Sequence, residues 1–181
     1  MNNAQDVLDF WFVEHGQDDW FGGQADFDAR LATRFGELHE RVSKGEAWHW
    51  RETAGGRLAE VIVLDQFSRQ LHRGSARAFA QDGMALVLAQ EAIFDGADHQ
   101  VDMARRMFFY MPFMHSESLL IQDEGVRLFE TLGNQDLLKF MLDHRDTIAR
   151  FGRFPFRNRA LGRPSTPAEL AYMDERNGRM F

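Results

Sequence analysis

Leu58-Ala59-Glu60-Val61-Ile62-Val63-Leu64-Asp65-Gln66-Phe67-Ser68-Arg69-Gln70-Leu71 carries apolar side chains on both sides of a helix. Leu58, Val61 and Ile62 mark one face, and Val63 and Phe67 mark the opposite one. A helix that is apolar all round is a central one, so this stretch predicts a rod surrounded by other helices. Asp65 falls on one of these apolar faces. At 100° per residue it lies about 20° from Leu58 and within one turn of Val61 and Ile62, so it points where the core belongs. An isolated carboxylate there costs several kcal/mol or stays protonated, and Arg69, four residues on, is placed to pair with it. Two readings stay open: a buried structural ion pair, or a functional pair with Asp65 as base or orienting group and Arg69 as anion clamp.

Working outward, Gly55-Gly56 punctuate the chain before this rod. Upstream, Phe27, Leu31, Phe35, Leu38 and Val42 recur at spacings of three and four, an amphipathic helix from Asp26, its expected N-cap, to Ser43. Val7, Leu8, Phe10, Trp11 and Phe12 predict a brief helix before it, with Gly22-Gly23 as a turn. Downstream, Ser75 is an expected N-cap for Ala76 to Phe94, with Gly96 as its stop. Gln100 to Tyr110 continues helically until Pro112 ends or kinks it. Ile121, Gly125, Leu128 and Leu132 share one face of the next helix, closed by Gly133, and Asn134 opens another that runs to about Phe151. Thr166-Pro167-Ala168-Glu169 reads as a capping box with proline at the first helical position. No segment alternates like a strand, and the expectation is an all-α fold of seven or eight helices in one domain spanning residues 1–181.

With 181 residues the chain can bury about 70% of its unfolded surface. Its 17 Phe and 4 Trp make the apolar part unusually aromatic, in keeping with a generous core or with a homodimer patch. The longest uncharged run, between Arg106 and Glu117, has 10 residues where a membrane span needs about 20. Met1 to Asp9 holds no Lys or Arg and carries Asp6 and Asp9, unlike a secretory leader, so a cytoplasmic protein is expected. The absence of cysteine removes disulfides, thiolate zinc sites and cysteine nucleophiles.

A net charge of −7 argues against a general nucleic-acid binder. One stretch departs from it: His144 to Arg163 holds Arg145, Arg150, Arg153, Arg157, Arg159 and Arg163 against Asp146 alone, a local charge of +5. Such an island either neutralises carboxylates of its own chain or holds an external anion.

Other polar groups sit on apolar faces. His144 shares a stripe with Leu137, Met141, Ile148 and Phe151, and nearby Arg150 and Arg153 would lower its pKa. His115 and Glu117 flank Ser116 just after the proline break, at a helix N-terminus where Glu117 can answer the dipole or act with His115 as an acid/base pair. A His-x-Glu metal pair would need a third ligand such as Asp65 or His144, so no metal site and no cofactor are assigned. His15, His39, His49, His72 and His99 show no ligand spacing among themselves. No nucleophile elbow, phosphate loop or H-E-x-x-H helix occurs.

Five blocks then carry a resemblance. They are Val7 to Phe12, Leu64-Asp65-Gln66-Phe67-Ser68-Arg69-Gln70-Leu71-His72-Arg73-Gly74, Phe79-Ala80-Gln81-Asp82, Met111-Pro112-Phe113-Met114-His115-Ser116-Glu117, and Arg150-Phe151-Gly152-Arg153-Phe154-Pro155 with Arg157-Asn158, Leu161-Gly162-Arg163 and Ser165-Thr166. In this order, over nearly the whole chain, they resemble the bacterial domain-of-unknown-function family nine-two-four. The resemblance implies antiparallel helix pairs stacked into a compact tetratricopeptide-like superhelix. Family members usually carry His where this chain has Phe156, which favours arginine-based anion binding over imidazole chemistry.

The leading expectation is a polar pocket for a phosphate- or carboxylate-bearing small molecule. Its ligand-binding residues would be Arg69, His144, Arg150, Arg153, Arg157 and Asn158, with His115, Glu117 and Asp65 as acid/base groups if the protein is an enzyme. The alternatives are a peptide- or protein-binding helical module and a metal-assisted hydrolase built on His115 and Glu117.

Overall fold

The computed structural model describes residues 3–21 and 24–176, and among them every regular element is helical, with no strand. The turn expected at Gly22-Gly23 lies outside the described residues. No helix among the described residues is long and apolar enough to cross a membrane. The chain divides into two compact units, one made of Met1–Arg73 and Arg77–Phe109, the other of Gly74–Ala76 and Tyr110–Phe181.

In the first unit, α1 (Ala4–Asp9) is capped by Asn3 and Asp6 and runs without a break into a π-helical turn, Phe10–Glu14. The short α2 (Gln17–Phe21) has no apolar period and is not legible as a helix in the sequence. In α3 (Ala25–Val42) the residues Phe27, Leu31, Phe35, Leu38 and Val42 are all buried, as their spacing predicts. Gln24, not Asp26, takes the cap position; Asp26 lies in the first turn, where its charge meets the positive end of the helix dipole.

The central rod comprises α4 (Ala54–Ile62), a π turn (Val63–Phe67) and α5 (Ser68–Leu71). Thr53 caps it by accepting from the Gly56 amide at 3.0 Å. Every residue from Leu58 to Phe67 is buried, as expected of a helix apolar on both sides. The π turn absorbs one extra residue within the rod, a feature that side-chain periodicity does not announce.

A tighter 3-10 turn, Ala76–Phe79, then takes the place of the expected helix start after Ser75, so α6 (Asp82–Phe94) begins later and without a side-chain cap. Gly96 stops it in the left-handed region, with φ 71°. The first seven residues of α7 (Met103–Met114) complete the unit. Pro112 does not break this helix at once; it lies inside the last turn, and the helix ends two residues later.

Aromatic rings fill the space between these rods. Phe10 lies 4.9 Å from Phe35 and 5.6 Å from Phe27, while Trp11 stacks on Trp20 at 5.5 Å and lies 5.6 Å from Phe67. Each such pair contributes about 0.5–1.5 kcal/mol beyond its buried area.

The second unit holds the end of α7, then α8 (Leu119–Glu130), α9 (Gln135–Phe151), a 3-10 turn (Pro155–Arg157) and α10 (Pro167–Glu175). Asn134 caps α9 through the amides of Asp136 and Leu137. The predicted capping box of α10 is present, with Glu169 receiving the Thr166 amide and Thr166 receiving that of Glu169. At Gly125 a Cβ would come within 2.9 Å of the Met141 methyl and 3.2 Å of Phe113 Cβ, so the missing side chain lets α8 approach its neighbours closely.

Candidate functional site

Asp65 and Arg69 belong to the first unit; the other seven expected site residues belong to the second. Asp65, on the π turn, is 1% exposed. Its Oδ1 lies 3.1 Å from Arg69 Nη1, and its Oδ2 accepts from Gln66 Nε2 at 2.6 Å. Arg69 also donates to the Asp65 carbonyl at 2.7 Å and grips both oxygens of Asp82 at 2.9 and 3.1 Å. Burial pulls the pKa of Arg69 down, and the two carboxylates more than restore it, so the guanidinium stays charged. Asp82 opens α6, and this three-member ion group therefore ties the central rod to α6.

In the second unit the residues from His115 to Glu169 form a connected polar network. Glu117 does not serve the dipole of α8, which starts beyond it at Leu119 behind Ser118. Arg163 holds both of its oxygens, at 2.7 and 3.0 Å, and Oε1 also accepts from the Phe154 amide at 2.8 Å. Burial alone would raise Glu117, but Arg163, the Phe154 amide and the charge of Arg157 together hold it below the usual carboxylate range. Arg153 pairs with Glu169 at 2.6 and 2.9 Å. That ion pair and the Thr166 bonds bring Glu169 down to about 2. Asn158 receives Arg163 Nε at 3.0 Å and donates to Ser165 Oγ at 3.1 Å.

Arg157 and the two histidines make the remaining corner. Arg157 is 7% exposed, lies 4.5 Å over the Phe154 ring and donates to the His115 carbonyl at 2.9 Å. The His115 and His144 rings are 6.4 Å apart. His144 Nδ1 donates to the Phe140 carbonyl at 2.7 Å, the α-helical i−4 oxygen, which fixes its tautomer. Its pKa falls to about 3, chiefly through burial, with His115 and Arg157 pushing the same way. Arg157, not the expected Arg150 or Arg153, is thus the guanidinium that acts on it. Arg150 is exposed and lies over Phe151 and Tyr172, at 4.7 and 5.7 Å. Phe156 lies against Tyr172, with ring centroids 6.1 Å apart.

Much of the basic island is consumed inside the chain: Arg145 pairs with Asp123, Arg153 with Glu169 and Arg163 with Glu117. Arg163 and Glu169 are charged members of this network that lie outside the site residues expected from the sequence. Nothing in the spacing of Glu117 and Arg163, 46 residues apart, announces their pairing. Glu169 is legible only as a helix cap. Both carboxylates are held by side chains of their own unit: each oxygen of Glu117 and of Asp65 meets at least one donor. Among the described residues, the side chains placed to hold a metal ion are His39, Glu40 and His72, in the first unit.

The chain resembles a solved structure, that of the protein of unknown function ATU0120 from Agrobacterium tumefaciens. The two share 40% sequence identity and a TM-score of 0.91, over 95% of this chain and 97% of that one. No curated protein matches the chain. Residues 7–177 match the family model described as a bacterial protein of unknown function, DUF924. That match spans all five sequence blocks and both units, and the chain belongs to the DUF924 family.

Proposed function

We propose that this protein binds a small anion, carboxylate- or phosphate-bearing, at the corner of the second unit where Arg157 meets His115, His144 and Phe154. One observation carries the reading: a buried guanidinium, seated on an aromatic ring, acts electrostatically on a carboxylate that another arginine already holds bidentately and on an imidazole kept neutral. A guanidinium in such a place recognises planar carboxylate or phosphate oxygens by paired hydrogen bonds. Arg69 and Arg153 are paired with their own carboxylates and His144 gives its one N–H to the Phe140 carbonyl, so the proposed anion contacts centre on Arg157, with His115 beside it. If chemistry follows binding, the half-buried His115 is the proton-transfer group, since Glu117 is engaged by Arg163.

The test is a thermal-shift titration with inorganic phosphate and with citrate. A ligand at a hundred times its Kd adds about 2.7 kcal/mol to the native state, a rise of several degrees for a chain of this size. Arg157→Gln abolishes that rise while leaving the circular-dichroism spectrum intact. An Arg157→Gln protein that still responds, or a wild type that responds to neither anion, overturns the reading. A second reading, a tetratricopeptide-like module that holds a peptide, is favoured by apolar side chains left in water on α8 and α9: Leu120 is 78% and Phe140 52% exposed.

A further inference from the structure

We propose that His39, Glu40 and His72 form a site for a divalent transition-metal ion of the zinc type, in the first unit and independent of the anion corner. One imidazole nitrogen from each histidine and a carboxylate oxygen of Glu40 all lie within 4.8 Å of one another. Three ligands around zinc at 2.0–2.1 Å stand about 3.4 Å apart, so the group closes on an ion by side-chain rotation without moving the rods.

The decisive detail is a hydrogen-bond chain behind His39. Ser68 Oγ donates its one hydrogen to the Leu64 carbonyl at 2.6 Å. It therefore accepts from His39 Nε2, 2.8 Å away, which makes Nε2 the protonated nitrogen and leaves Nδ1 as a bare lone pair. His39 is 3% exposed, and that Nδ1 is buried with no hydrogen-bond partner among the described residues. Nε2 of His72 is likewise buried and without a partner among the described residues, and the two rings stand edge to face with centroids 5.3 Å apart. A lone pair taken from water and given nothing in return is destabilising, and a metal ion bound to it removes that penalty. The arrangement is that of a metal-binding histidine, whose far nitrogen is fixed by an outer hydrogen bond.

Glu40 supplies the charge. Its present partner is Arg77, and both side chains are more than half exposed, so exchanging one oxygen from guanidinium to metal is cheap. Three protein ligands leave a fourth tetrahedral position, and the exposure of Glu40 and Arg77 opens it to solvent.

Cobalt(II) added to the chelator-treated full chain tests the site. One equivalent binds and gives the visible band of tetrahedral cobalt, which zinc then bleaches by displacement. His72→Gln and Glu40→Gln, both outside the fully buried core, fold normally and lose at least tenfold in affinity. Ser68→Ala weakens binding by about 10–100-fold through the freed His39 ring. The proposal is overturned if no equivalent binds, if the bound ion stays octahedral, or if His72→Gln and Glu40→Gln bind as the wild type does.

Discussion

Arg69→Met separates a structural ion group from a ligand clamp. Arg69 stands between Asp65 and Asp82, 3.1 Å from the first and 2.9 Å from the second. At an effective dielectric of about 20, a unit pair at 3.1 Å attracts by about 5 kcal/mol, and desolvation of both ends offsets part of this. Removing one partner strands the other, which for buried pairs costs about 3–5 kcal/mol. The side chain of Arg69 is only partly buried, whereas Asp65 is wholly so, and the expected loss is therefore near the lower end, about 3 kcal/mol. With an m-value of about 2 kcal/mol/M, the urea midpoint falls by about 1.5 M. Asp65→Asn in the same background shows a coupling energy above about 1 kcal/mol, because the two substitutions remove one shared interaction. A clamp held in strain for an absent ligand behaves in the opposite way: its loss is neutral or stabilising. An Arg69→Met midpoint within about 0.2 M of the wild type would refute the structural account.

Three further substitutions probe pH and packing. His144 titrates near an ordinary 6.5 when unfolded and at about 3 when folded, so the unfolded chain takes up the proton first. Its contribution is complete above pH 6.5 and drains away as pH falls towards 3, by up to about 1.4 kcal/mol per unit; His144→Gln flattens the urea-midpoint profile over that window, and a profile unchanged there contradicts the assignment. Gly56→Ala places a Cβ 1.9 Å from the Trp50 carbonyl oxygen, a backbone atom that cannot turn aside. It costs more than about 2 kcal/mol despite alanine's better helix propensity, while Gly125→Ala, which meets chiefly the end of Met141, costs less; melting curves in the reverse order would contradict both.

What the sequence discloses and what it hides follow one physical line. Signals carried by neighbouring residues are legible: the Thr166-Pro167-Ala168-Glu169 cap, Asn134 before α9, Gly96 and Gly133 as stops, and the inward aim of Asp65. Each depends on three to seven consecutive positions and a fixed helical angle. Backbone choices that leave no side-chain signature are not legible. The π turns at Phe10–Glu14 and Val63–Phe67 and the 3-10 turn at Ala76–Phe79 place the same residue types on tighter or wider ladders. Partners joined only by tertiary folding are hidden for another reason. Glu117 with Arg163, Arg153 with Glu169, and His39 with His72 stand 46, 16 and 33 residues apart, and no local spacing rule reaches that far. Charge composition shows that a basic island exists; only packing shows that much of it is spent on its own chain.

The π turn in the central rod sets where this chain tolerates a change of length. A π turn is slack: it carries one residue more than the regular ladder requires, so a relative lacking one residue between Val63 and Phe67 reverts to an unbroken α-helix with both ends unmoved. The same deletion between Leu58 and Ile62 has no slack to draw on and swings Ser68 and His72 about 100° around the axis, away from His39. A one-residue gap in aligned sequences of this rod therefore belongs at Val63–Phe67, and a gap placed elsewhere marks either a misalignment or a protein without the imidazole pair.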